Sequence, residues 1–156
     1  MRMKRAIAAA CAAILLALPL TGCGEPYAPA EDEIALQIQL DLDEEIGLLI
    51  IDYAAGESSG SGGVSNADKS PLKRDELLFY TLERRFFEDP AAVDSLRLTF
   101  TVITEYQEPN YENVYPGEYT LPAGGVILGA EFGEVYSLVI SGGTESGYEA
   151  VLSAQP

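Results

Sequence analysis

The chain has 156 residues, with 25 acidic against nine basic side chains and no histidine. Its net charge of −16 argues against nucleic acid and against adsorption to anionic head groups, both of which select basic surfaces. The missing histidine excludes His-based acid–base chemistry, His-containing triads and ordinary His/Cys zinc sites.

The first predicted element is an export signal. Arg2, Lys4 and Arg5 precede an apolar run from Ala6 to Leu18. The run suits a secretory segment and falls short of the roughly 20 apolar residues a membrane span needs. The stretch LPLTGC that follows, residues 18–23, fits two signals. Leu18 to Gly22 matches the Leu-Pro-x-Thr-Gly pattern used by sortases, but that pattern acts ahead of an apolar span and a basic stop. Here the polar run GEPYAPAEDE comes next.

Leu20-Thr21-Gly22-Cys23 resembles the lipobox of bacterial lipoprotein precursors. The resemblance covers the first 23 residues. It implies cleavage after Gly22 and a diacylglyceryl thioether on Cys23, with fatty-acyl chains such as palmitate. Two acyl chains hold a protein stably where one holds only marginally. The implied location is the bacterial cell envelope, anchored by lipid on the extracytoplasmic side of a membrane. Residues 1–22 are then the signal peptide, 23–33 the lipidated N-terminus and a Pro-containing acidic tether, and 34–156 the folded domain. At roughly 3.3 Å per residue the tether reaches about 30 Å.

Loss of the signal leaves six basic residues against 25 acidic ones, a net charge of −19. Such a body is expected to be held off the membrane by like-charge repulsion, with only the lipid attached. Cys11 leaves with the signal and Cys23 takes the lipid, so no disulfide is expected in the domain.

From Ile34 the pattern has period two. Ile34, Leu36, Ile38, Leu40 and Leu42 alternate with Ala35, Gln37, Gln39 and Asp41, which predicts a strand with one wet face. LLIIDY (48–53) is apolar on both faces, as in a central strand. GESSGSGG (56–63) reads as a Gly/Ser loop leading into a polar connection. LLFYTLERRFF (77–87) admits two readings: Ser70-Pro71 could cap and open a helix across 72–87, while the aromatic, β-prone letters of 76–83 favour a strand. In the next one Leu96, Leu98, Phe100 and Val102 face one way and Arg97, Thr99 and Thr101 the other.

Further strands are expected at 118–121, 125–132, 135–140 and 148–152, with Gly142-Gly143 and Gly147 bracketing a terminal hairpin. Short strands at this spacing, without a long amphipathic helix, predict an all-β fold. The expected form is a single antiparallel β-sandwich, immunoglobulin-like or prealbumin-like, of about seven or eight strands. YPGEYTLPAGG (115–125) is similar to the Pro-Gly-x-Tyr-x-Leu turn and strand of prealbumin-like surface modules. The likeness spans a dozen residues and implies no function.

Three patterns bear on chemistry. Ser70-Pro71-Leu72-Lys73 matches the Ser-x-x-Lys nucleophile motif of penicillin-binding proteins. Neither companion motif appears and the domain is too small for that fold, so a turn is the simpler reading. Asp41, Asp43 and Glu45, beside Glu44 in one turn, are candidate calcium ligands, as are Asn66, Asp68 and Ser70 in a loop; neither group follows the EF-hand spacing. A carboxylate pair could serve a hydrolase, but 25 acids supply such pairs by chance.

The candidate binding surface is EYQEPNYENVYPGEY (105–119). It carries Tyr106, Tyr111, Tyr115 and Tyr119, four of the nine tyrosines. Tyrosine offers a large amphipathic face at low entropic cost, suited to sugars, peptides or proteins. The sequence thus predicts a lipid-anchored binding or accessory module for an envelope protein, peptide or glycan, with no catalysis and no cofactor. A calcium-stabilised structural envelope module is the alternative, and a carboxylate-dependent hydrolase the third reading.

Overall fold

Alternation from Ile34 produces the expected strand, β1 (Glu33–Leu42), whose Ile34, Leu36, Ile38 and Leu40 are buried. The computed structural model describes residues 27–153, apart from 111 and 113. Within them follow β2 (Leu48–Ala55), β3 (Ser58–Val64), β4 (Leu77–Glu83), β5 (Leu96–Ile103), β6 (Thr120–Leu128), β7 (Val135–Gly143) and β8 (Gly147–Leu152). Short 3₁₀ turns at Arg84–Phe86, Pro90–Ser95 and Gly117–Tyr119 are the helical segments among the described residues. The lipobox, Gly22 and Cys23 lie outside the described residues.

The strands form two four-stranded sheets, ordered β4-β1-β7-β8 and β3-β2-β5-β6. The inward faces of β1 and β7 meet those of β2 and β5. Phe100, Leu98, Leu49 and Ile51 close the core from the second sheet. Fully burying such side chains contributes about 1.5–3 kcal/mol each. The edge strands β6 and β8 lie against one another along one side of the sandwich. The all-β sandwich is therefore as expected, and so are the strands at β1, β2, β4, β5, β7 and β8.

Three expectations need correction. The sandwich is not antiparallel throughout, because β1 and β7 run parallel from Ala35↔Val135 to Leu42↔Gly142. Parallel neighbours need a long crossover, and the whole second sheet lies between them in sequence. The Gly/Ser stretch is not a loop but the edge strand β3, paired with β2. Its glycines are dictated by ring packing: a Cβ on Gly60 would overlap the hydroxyl of Tyr53, and one on Gly62 that of Tyr80. The separate strands expected at 118–121 and 125–132 are one strand, β6, carrying a bulge. Thr99 pairs with Gly125 but Thr101 with Pro122, and Gly124 takes a φ of +76°. Pro122-Ala-Gly-Gly thus inserts an extra residue without ending the strand. Pro122 is tolerated because β6 is an edge strand.

The chain enters along β4. The Tyr27 ring packs on Phe79 with centroids 5.2 Å apart, and its hydroxyl lies 3.3 Å from Thr81 Oγ1. Asp32 O accepts from the Arg84 N–H at 2.8 Å.

Candidate functional site

The connection between β5 and β6 folds back over the outer face of the second sheet. Thr104 N–H donates to Tyr119 O at 2.9 Å, pinning the two ends of the connection together. Gly47 supplies the seat. Its N–H donates to Ile103 O at 2.8 Å, and a Cβ there would press on the main chain of Glu105 and Tyr106. Tyr106 and Tyr115 are thereby brought to the outward side chains of β2.

The result is a groove of about 470 Å³ lined by Leu48, Ile50, Ser61, Gly62, Gly63, Ser65, Tyr106 and Tyr115. Leu48 and Ile50 form an apolar floor. Ser61, opposite Asp52 in the β2–β3 register, adds a hydroxyl at the wall. Gly63, where a Cβ would stand 2.8 Å from Leu48 Cδ1, keeps the β3 side low. An aromatic, hydroxyl-bearing trough of this kind holds flat or extended ligands by stacking and by hydrogen bonding.

Lys69 stands at the mouth, 5.5 Å from the Tyr106 ring centroid and ion-paired with Glu108. The pair holds the Lys69 ammonium above its ordinary pKa. Burial first, then the neighbouring Tyr106 and Glu108, raises the Tyr115 phenol, so Tyr115 meets a ligand as a neutral donor.

Of the four tyrosines named from sequence, Tyr106 and Tyr115 share the groove. Tyr119 does not line it. It ends the Gly117–Tyr119 turn, its phenol raised by Glu118 and then Glu105. Tyr111 lies outside the described residues. The β2–β3 floor was missed from sequence because Leu48 and Ile50 are ordinary strand letters. Gly47, ahead of a doubly apolar strand, is the one local signal of a close backbone approach.

The acidic turn is engaged differently from its candidate role. Glu44 Oε1 accepts from the Thr144 N–H at 2.6 Å and from the Thr144 and Tyr148 hydroxyls at 2.5 Å each. The Ser146 hydroxyl donates to Asp43 Oδ2 at 3.1 Å. The turn therefore clamps the β7–β8 hairpin. Asp41 and Glu45 are exposed, and among the described residues no three acidic side chains gather closely enough to hold a metal ion. In the 66–70 loop, Asn66 Nδ2 donates to Ser70 O and Pro71 O at 3.2 and 2.9 Å. Ser70 donates through its N–H and its hydroxyl to Asp68 Oδ1, at 3.0 and 2.6 Å. Ser70 is thus a turn residue, and the Lys73 N–H is bonded to Glu76 at 2.9 Å.

Fold and groove together define a β-sandwich with an aromatic trough on one outer sheet face. No protein family matches the chain, and no curated protein is significantly similar to it. Solved structures align with the chain only weakly. A disulfide-locked mutant of intermedilysin, with human CD59, aligns at a TM-score of 0.39 and 8% identity over 80% of this chain and 24% of that one. A Gram-negative toxin aligns at 0.36 and 10% over 80% and 23%. The membrane-binding domain of pneumolysin aligns at 0.35 and 8% over 79% and 96%. The chain spans about a quarter of the first two, and likeness at this level carries no assignment.

Proposed function

We propose that this protein is a lipid-anchored extracytoplasmic module that binds a partner in the Tyr106–Tyr115 groove and performs no catalysis. Lipidation at Cys23 follows from the lipobox, and export from the segment before it. The observation that carries the binding role is the pairing of two half-exposed tyrosines with an apolar floor and serine walls. An envelope protein presenting an extended segment, a peptide or a glycan fits such a trough, because each offers flat faces and hydrogen-bonding groups. Anionic ligands are disfavoured by Asp52, which stands opposite Ser61 of the wall.

Val114, 56% exposed beside Tyr115, is the position for a photoreactive residue. Crosslinking in cells should capture one dominant partner, and Tyr115→Ala should abolish the capture. Equal capture by both proteins would refute the groove. Hydrolysis by the purified protein that vanished on changing one acidic residue would refute the non-catalytic reading.

A further inference from the structure

We propose that the outer face of the β4-β1-β7-β8 sheet is the face the protein turns to the membrane, lying flat on the bilayer that holds Cys23. The inference rests on lipidation at Cys23, and it is independent of the groove.

Side-chain alternation fixes what this face displays. Ile38, Leu40, Leu138 and Ile140 point into the core, so their neighbours point outward. Leu77, Gln39, Val139 and Val151 stand side by side across all four strands. Phe79, Gln37 and Ser137 form the next row, and Thr81, Ala35 and Val135 the third. None of these is charged. Leu77, Phe79 and Val151 are 42, 44 and 41% exposed. Charge returns only at the ends of the strands, with Asp41 and Glu149 at one and Glu33 and Glu83 at the other. Three adjoining uncharged rows contrast with the 25 acids of the chain. The opposite outer face carries Asp52, Arg97 and the groove.

Where the chain enters says what covers the face. Tyr27 lies on it, against Phe79, and is itself 43% exposed. Cys23 is four residues earlier, within about 13 Å at roughly 3.3 Å per residue. The lipid therefore attaches beside this face. Repulsion from anionic head groups drives the acidic faces outward. Tyr27 has the amphipathic ring that settles at the level of the head groups, and Phe79 an apolar ring suited to the acyl boundary just below. This departs from the expectation from composition that repulsion holds the whole body off the membrane: repulsion acts on the acidic faces and orients the domain, with the groove facing away from the bilayer.

The test uses the full chain, lipidated in a bacterial host and placed in vesicles of phosphatidylcholine with phosphatidylglycerol. Cys11 and Cys23 are the chain's two cysteines, so a single added cysteine takes a spin label cleanly once signal and lipid have claimed them. Labels go at L77C, V151C and, on the opposite face, T99C. The expected result is collision with a water-soluble nickel complex at least three-fold lower at 77 and 151 than at 99. Equal accessibility at all three positions, with the lipid on Cys23 verified by mass, would overturn the inference while leaving lipidation standing. Protection at 77 without protection at 151 would mean the domain stands on its β4 edge, and would also overturn it. Protection accompanied by dipolar broadening between labels would mean two copies pair through this face, again against the proposal. An unmodified Cys23 would remove the lipid reading itself, a failure that the mass identifies separately.

Discussion

The Tyr80 hydroxyl reaches from β4 of one sheet to Gly62 on β3 of the other, filling the space where a Cβ would stand. This contact, with Tyr53 over Gly60, covers the side of the sandwich opposite the β6–β8 approach. Burial first, then Tyr53 and Asp52, raises the Tyr80 phenol, so it stays neutral there.

Gly62→Ala should accordingly destabilise the domain by about 1–3 kcal/mol, the usual range for overfilling a packed site. Tyr80→Phe removes the nearest colliding atom but leaves the ring carbon Cζ 2.8 Å from the added Cβ, so the double variant should recover part of that loss. Urea denaturation of the four proteins checks this. Simple additivity of the two substitutions would show that Gly62 is not governed by Tyr80.

The same contact explains why sequence alone placed some elements and missed others. β1 and β5 declare themselves because one face is buried and the other wet, so their letters alternate. β3 carries no such signal. Its residues are chosen by the rings of Tyr53 and Tyr80, which neighbour it only in space. β6 was split because Pro122-Ala-Gly-Gly has turn letters, and a bulge uses the same letters. Half of the groove could be found, since Tyr106 and Tyr115 stand out in composition. Its floor could not. The second apolar face of LLIIDY is covered by the β5–β6 connection, and Gly47 is the one local trace of that cover.

The Glu44 clamp should give stability an acid and an alkaline limit. Hydrogen bonds from the Thr144 hydroxyl, then the Tyr148 hydroxyl, hold the Glu44 carboxyl below its ordinary range despite some burial. The folded state then binds that proton less readily than the unfolded state. Its contribution is full above the ordinary carboxylate pKa of about 4.3 and is lost as pH falls through the lowered folded value. Tyr148 is pushed up to about 12, by burial and then by its bond to Glu44. Its contribution is full below pH 10.0 and is lost as pH rises toward about 12. Glu44→Gln should lower stability at neutral pH and flatten the acid limb. Tyr148→Phe should flatten the alkaline limb. Urea midpoints across the pH range measure both, and an acid limb unchanged in Glu44→Gln would assign it to other carboxylates.

The bulge in β6 separates two reasons for glycine. Gly124 has a φ of +76° but nothing within 4 Å of a Cβ, so Gly124→Ala should cost about 1–2 kcal/mol from backbone conformation alone. At Gly125 a Cβ would stand 2.5 Å from Leu98 O across the β5–β6 pair, with no flexible side chain to yield. Gly125→Ala should therefore cost more than Gly124→Ala and should speed amide exchange in β6. Equal losses, measured by denaturation, would mean that β6 shifts to admit the methyl and that the register around Thr99 is soft.

The groove depends on Gly47 in a way that separates binding from stability. A side chain at this position meets the main chain at Glu105 and Tyr106, which cannot yield as a side-chain tip can. The cheapest response is for the connection to lift from β2, carrying Tyr106 and Tyr115 off Leu48 and Ile50. The strands beneath keep their pairing, because the β2–β5 register from Leu48↔Ile103 to Ala54↔Arg97 does not involve the connection. Gly47→Ala should therefore raise hydrogen exchange across 104–119 and leave exchange in β2 and β5 nearly unchanged. Crosslinking from Val114 should fall with it, as in Tyr115→Ala. Faster exchange confined to the connection, but with partner capture intact, would move the binding role away from the tyrosines. Exchange rising equally in β2 and β5 would mean that Gly47 supports the sandwich itself and not only the groove above it.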